Sequence, residues 1–133
     1  MEKRNLGNTG TKVGALGIGA MSFSDFYGPT NTQESHAILK MALDNGIDHI
    51  DTAKVYGMGL SEERIGQFLN TLNPKDRQFF KIATKGGIDR KNFDDKGTVV
   101  FDNSKEFLTE ELNNSLRRLR VDCVELYLSL IHI

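Results

Sequence analysis

Apolar positions along the chain alternate between two periods, one of strands and one of helices. Leu6 and Val13 flank Gly7-Asn8-Thr9-Gly10, an Asn and paired glycines that favour a tight turn, so residues 4–16 read as a short hairpin. Leu16-Gly17-Ile18-Gly19 follows as a first core strand, and Met21 to Thr30 as a loop carrying Phe23, Phe26, Tyr27 and Pro29. Asn31 with Glu34 predicts a capped helix with Ala37, Ile38, Met41 and Ala42 on one apolar face and Gly46 closing it. Ile47 to Asp51 is a second strand, and Gly57 permits a sharp turn after it. A second helix from Ser61 places Ile65, Phe68, Leu69 and Leu72 at helical spacing, with Asn73-Pro74 as its stop. Phe79 to Lys85 is a third strand, with Phe80, Ile82 and Thr84 on one face and Gly86-Gly87 at its end. Residues 86–103 read as a long polar loop around Asp89-Arg90-Lys91 and Asp94-Asp95-Lys96. A third helix begins near Asn103, capped with Glu106 and burying Phe107, Leu108, Leu112, Leu116 and Leu119, and Val121 to Leu128 is a final strand.

The order is a hairpin and then β-α-β-α-β-α-β. Strands alternating with amphipathic helices imply a parallel sheet joined by right-handed crossovers. Periodicity is met equally by a small doubly wound domain and by half of an eight-fold barrel. At 133 residues the chain is at most one domain. A net charge of −1 provides no basic surface for nucleic acid or anionic lipid. Val13 to Met21, the longest weakly polar run, is too short and Gly-rich to span a bilayer. The start Met-Glu-Lys-Arg-Asn leads into no signal core, and the lone Cys123 excludes an internal disulfide. A soluble cytoplasmic α/β protein is expected.

Ligands of parallel α/β architectures bind at the carboxyl ends of the strands. The second strand ends at Asp51 and the third at Lys85, so both project from one rim, with Tyr56 in the loop five residues after Asp51. A phenol titrates near pH ~10 and is a poor acid at neutral pH. An adjacent ammonium stabilises the phenolate and so makes the tyrosine a better proton donor, while a carboxylate braces the lysine. The same residues are also compatible with a helix-capping Asp51, a half-buried loop Tyr56 and a structural Asp–Lys ion pair.

Several blocks together resemble the aldo-keto reductases, NAD(P)H-dependent oxidoreductases with a (β/α)8 barrel. Arg4-x-Leu6-Gly7-x-Thr9-Gly10-x-x-Val13 is similar to the hairpin that closes the bottom of that barrel, and Leu16 to Ser22 to its first strand and cofactor-side loop. Phe26-Tyr27-Gly28-Pro29 resembles a branch that reduces small aldehydes and ketones, pyridoxal among them. Asp51-Thr52-Ala53-x-x-Tyr56-Gly57 with Ser61-Glu62-Glu63 is similar to the family's most specific signature, and Ala83-Thr84-Lys85 to its strand-three lysine. Ser115-Leu116-x-x-Leu119-x-x-Asp122 with Leu126-Tyr127 resembles the approach to strand four. The resemblance implies an α/β fold, an N-terminal β-hairpin followed by the first four strands of a TIM-type barrel, with residues 1–127 as the N-terminal half of the reductase domain. It implies that Tyr56 donates a proton, Lys85 tunes it and Asp51 braces Lys85, with Ala20, Met21 and Asp51 near the nicotinamide of NADPH, or of NADH. The expected partner is a small carbonyl substrate, with no nucleic acid and no membrane.

Two features depart from the family pattern. Lys54 stands where an acidic residue is common, which is expected to alter the rim charge and to touch none of these roles. The family's fourth catalytic residue, a His three positions after the strand-four Tyr, is Leu130 here, and His132 lies one pleat further out. Leu128 to Ile133 matches the translated start of a transposase adapter used in sequencing libraries, so residues 128–133 are expected to be a non-native tail. A half barrel leaves open edges, and this chain alone is expected to bind cofactor weakly or not at all, and to be inactive. The alternative to a carbonyl reductase is a nucleotide-sensing barrel subunit that regulates a partner such as an ion channel.

Overall fold

A computed structural model describes residues 1–93 and 99–130, without the side chains of 90–93; Asp94, Asp95, Lys96 and His132 lie outside the described residues. Strands β1 (Lys3–Asn5) and β2 (Lys12–Gly14) form the expected antiparallel hairpin, turning through Gly7 and Gly10 at positive φ. Next come β3 (Gly17–Gly19), a 3₁₀ turn over Ala20–Ser24, α1 (Thr32–Asp44) and β4 (His49–Asp51). A second 3₁₀ turn (Tyr56–Gly59) leads into α2 (Leu60–Leu69), followed by α3 (Pro74–Phe79) and β5 (Lys81–Gly86). The chain continues through β6 (Ile88–Phe93), β7 (Val99–Phe101), α4 (Lys105–Leu119) and β8 (Leu126–Ser129).

The sheet β3-β4-β5-β8 is parallel throughout, an incomplete α/β barrel with β3 and β8 at its edges among the described residues. Ile18, Ile50 and Ile82 are in register and lie in or against the helix-covered core. Because side chains alternate along a strand, Asp51 and Lys85 occupy the opposite face. The core is completed by Leu39 and Ala42 of α1, Ile65, Phe68 and Leu69 of α2, and Leu119 of α4.

Local structure departs from the pattern in several places, beginning with strand bounds: β5 starts at Lys81 because Phe79 closes α3, and β8 starts at Leu126 rather than Val121. Helix α1 carries the Asn31–Glu34 capping box, but it buries Ser35, Leu39 and Ala42; Ala37, Ile38 and Met41 face out because the helix is rotated toward α2, where His36 Nε2 lies 3.0 Å from the Arg64 carbonyl. Asn73-Pro74 ends one helix by starting another: Asn73 caps α3, and Pro74 occupies the first turn, where a missing N–H costs nothing. The stretch read as a polar loop holds the β6–β7 hairpin, since Val99-Val100-Phe101 supplies a strand that pairs back onto Ile88 and Asp89. Ser104, rather than Asn103, caps α4 by accepting from the Phe107 N–H, and Phe107, Leu108, Leu112 and Leu116 are half-buried.

Two contacts hold the layers in register. Asp48, buried at the start of β4, accepts from Lys3 Nζ at 2.5 Å and from the Gly14 N–H at 2.6 Å, so it ties the hairpin to the sheet. Burial raises its pKa, but the hydrogen bonds from Lys3 and Gly14 outweigh it and hold the carboxyl below its ordinary value. Where α2 crosses α4, Gly66 sits so close that a Cβ would lie 2.0 Å from the Arg118 carbonyl oxygen.

Gly66→Ala is therefore expected to destabilise the fold by about 3 kcal/mol, since the neighbour is backbone and cannot step aside; urea unfolding measures it. The depressed pKa of Asp48 means its stabilisation is present above the unfolded value near pH ~4 and is lost as pH falls through the lower folded value. Asp48→Asn is accordingly expected to cost about 1–3 kcal/mol at pH 7, with the gap to the parent narrowing below about pH 4 in unfolding curves taken across that range.

Candidate active site

Asp51 is the last residue of β4 and Lys85 the penultimate residue of β5, and the inter-strand register brings them to the same rim. Lys85 Nζ forms an ion pair with Asp51 Oδ1, donates to the Thr52 carbonyl at 3.0 Å, and lies 3.1 Å from the Tyr56 hydroxyl. It also sits 4.9 Å from the centroid of the Tyr56 ring. The lysine side chain is 12% exposed and that of Asp51 43%, so the ammonium is withdrawn from water while its carboxylate partner opens to the rim. Tyr56 is followed by three residues at positive φ, Gly57, Met58 and Gly59. A side chain at Gly57 would also meet Ser24 Cβ at 2.8 Å, so glycine is required there twice over.

The phenol borders a hollow of about 320 Å³ lined by Met21, Ser24, Phe26, Val55, Tyr56, Gly57 and Met58. Phe26 stacks edge-on against Tyr27 at 5.1 Å at the exposed lip. Of the three residues expected near a cofactor, Met21 lines this hollow, Asp51 opens to the rim, and Ala20 is fully buried with its carbonyl accepting from Ser61 Oγ at 2.7 Å. A larger hollow of about 590 Å³, between Leu72, Phe80, Arg120 and Glu125, lies at the opposite, amino ends of β5 and β8.

Behind the rim is a layer of buried polar side chains that periodicity did not reveal. Ser61 Oγ bridges Thr52 Oγ1, at 2.9 Å, to the Ala20 carbonyl. Glu62, wholly buried, accepts from Thr84 Oγ1 at 2.6 Å and from Arg118 Nε at 2.7 Å. Arg64 reaches back to the Phe23 carbonyl at 2.6 Å and so pins the 21–30 loop. Their signals were the Ser61-Glu62-Glu63 block of the family signature and the polar run Ser61-Glu62-Glu63-Arg64 at the start of α2, neither of which says that the side chains are buried. Lys54 corrects an expectation: it is buried rather than on the rim, paired with Glu111 Oε2 at 2.7 Å in a charge contact without a well-aligned hydrogen bond. Tyr127 turns away from the rim, toward the Leu108 carbonyl at 3.4 Å; burial and then the charges of Glu111 and Glu62 push its phenol up to about 12. The Leu130 N–H pairs with the Gly86 carbonyl at 3.0 Å, and this position, where the family pattern has a His, carries an alkyl side chain.

The aldo/keto reductase family profile matches residues 15–132. The chain belongs to the aldo/keto reductase family. It is 32% identical over 124 residues to the aldo-keto reductase yakc [NADP(+)] of Schizosaccharomyces pombe, which covers 93% of this chain and 35% of that protein. The holo form of an aldo-keto reductase from Bacillus halodurans superposes with a TM-score of 0.80 at 34% identity, covering 97% of this chain and 40% of the other. A protein described as a "probable voltage-gated potassium channel subunit beta" of Arabidopsis thaliana is 33% identical over 94% of this chain and 36% of its own length. The chain thus spans little more than a third of the length of these curated relatives. Family members are oxidoreductases that act on small carbonyl compounds with nicotinamide cofactors, and the four-stranded sheet is part of their barrel.

Glu62→Ala removes the group that holds Thr84, next to Lys85, and leaves Arg118 without its buried partner. It is expected to cost about 3–5 kcal/mol, read as a fall in thermal unfolding midpoint.

Proposed function

We propose that residues 1–127 are the amino-terminal half of a reductase domain that converts aldehydes or ketones to alcohols in the cytoplasm with NADPH, or with NADH as the alternative donor. The observation that carries this reading is the Lys85 ammonium held between the Asp51 carboxylate and the Tyr56 hydroxyl. That donor set fits the nicotinamide end of the cofactor: an apolar wall at Met21 and Val55, a rim-facing carboxylate at Asp51, and a phenol bordering the hollow. When bound, the cofactor supplies a hydride to the carbonyl carbon.

The chain's own residues supply the proton and its control. Tyr56 donates its hydroxyl proton to the carbonyl oxygen as negative charge develops there. Lys85, already within hydrogen-bond distance, donates to the phenolate left behind, which makes the transfer easier at neutral pH. Asp51 and the Thr52 carbonyl fix the ammonium in that place. Met21 and Val55 border the nicotinamide end, with the buried Ala20 supporting Met21 from behind, and Phe26 and Met58 seat the unreactive part of the substrate.

In the full-length protein, Tyr56→Phe is expected to lower kcat for a simple aromatic aldehyde by roughly 10²–10⁴-fold with NADPH binding retained, measured by NADPH oxidation and by quenching of its fluorescence. Unchanged turnover would overturn the assignment. The similarity to a potassium channel subunit favours a second reading, a barrel that binds nucleotide in order to regulate a partner. Tight NADPH binding with negligible turnover by the parent protein would select it.

A further inference from the structure

Lys54 lies inside the loop that joins the two ends of the candidate site, three residues after Asp51 and two before Tyr56. Its side chain runs away from the rim to Glu111 of α4, with Nζ 2.7 Å from Oε2 and side-chain exposures of 8% and 7%. Two opposite charges so far from water are costly to keep unless their placement matters or their mutual attraction repays the desolvation. The loop around Lys54 is otherwise fastened at its ends: Thr52 by the Ala83 carbonyl, Lys85 and Ser61, and Tyr56 by its N–H donating to Ala53 at 3.1 Å.

The partner helix presents more than one charge. Glu111, Ser115 and Arg118 are spaced along one face of α4, with Arg118 on Glu62 of α2 at 2.7 Å and Ser115 accepting from Arg118 at 3.2 Å. The helix therefore offers a carboxylate to the loop and a guanidinium to α2. A slide of α4 by one or two turns would set Ser115 or the Arg118 cation against Lys54, so the order of charges admits one register. Gly66, in backbone contact with Arg118, fixes the crossing from the other side.

We propose that Lys54 and Glu111 form a positioning pair for the reductase reaction, which sets the Tyr56-bearing loop at the height where its hydroxyl meets Lys85. The proposal rests on the function given above and concerns residues outside the proton-donating set. Neither side chain touches the reacting atoms; both act through the loop.

The test uses the full-length protein and separates position from bulk stability. Lys54→Met strands the Glu111 carboxylate and is expected to lower both thermal stability and kcat. In Lys54→Met/Glu111→Leu no lone charge remains, so the melting temperature recovers. Its kcat for the aldehyde stays on the order of 10–100-fold below the parent, while KM for aldehyde and NADPH changes by less than about 2-fold. Lys54→Arg, which keeps the charge pair, recovers most of kcat. A double variant with parental kcat overturns the proposal, as does a loss of kcat matched by an equal loss of folded protein. A crystal structure of the double variant decides independently of turnover: the hydroxyl of Tyr56 displaced from Lys85 supports the proposal, and the 3.1 Å contact unchanged overturns it. If the parent does not reduce the aldehyde, the proposed function fails while this structural comparison still settles the pair.

Discussion

An ammonium withdrawn from water must find an oxygen for each of its three N–H bonds, and Lys85 finds all three: the Asp51 carboxylate, the Thr52 carbonyl and the Tyr56 hydroxyl. Much of the surrounding structure follows from keeping those oxygens in place. Asp51 must end β4 at the level where β5 delivers Lys85, which the parallel register between the strands ensures. The Thr52 carbonyl must turn inward, and the bond from its N–H to the Ala83 carbonyl orients it. Tyr56 must return over the rim, which requires the left-handed turn through Gly57 to Gly59.

The polar layer behind the rim does what an apolar core could not. Hydrophobic contact has no direction, and Ile50, Ile65 and Leu69 would pack in more than one rotation of α2. Ser61 and Glu62 remove that freedom, because each has two partners on different elements and an unmet partner in the interior is expensive. The α2–α4 crossing at Gly66 is tight enough that backbone meets backbone, and Arg118 joins both devices at one residue. Specificity of arrangement in this part of the barrel is thus electrostatic and steric, laid over a conventional apolar filling.

The hairpin, the four parallel strands, their helices and the trio at the rim were legible because each depends on local pattern. Turn residues, period and strand ends suffice to place Asp51, Tyr56 and Lys85 on one edge. What escaped depends on partners distant in the chain. Lys54 in a loop is exposed by default, and only Glu111 on α4 makes its burial tolerable. Glu62 and Arg64 look like the solvated face of α2 until α4 and the 21–30 loop cover them. Ile38 and Met41 have the right spacing for a core stripe, but helix rotation is set by packing against α2, which spacing does not encode. The β6–β7 hairpin was hidden by its charged centre, which outweighed the short Val99-Val100-Phe101 run.

The bond from Arg118 to Glu62 spans 56 residues, whereas Lys85 reaches Asp51 across 34. During synthesis from the amino terminus, the three groups of the rim are therefore all present well before the residue that neutralises the carboxylate beneath them. A nascent chain paused after Gly87 would own the complete rim trio and still lack the guanidinium that pairs with Glu62 beneath it. The groups of the rim and the foundation on which they stand are thus delivered at different times, with α4 arriving last.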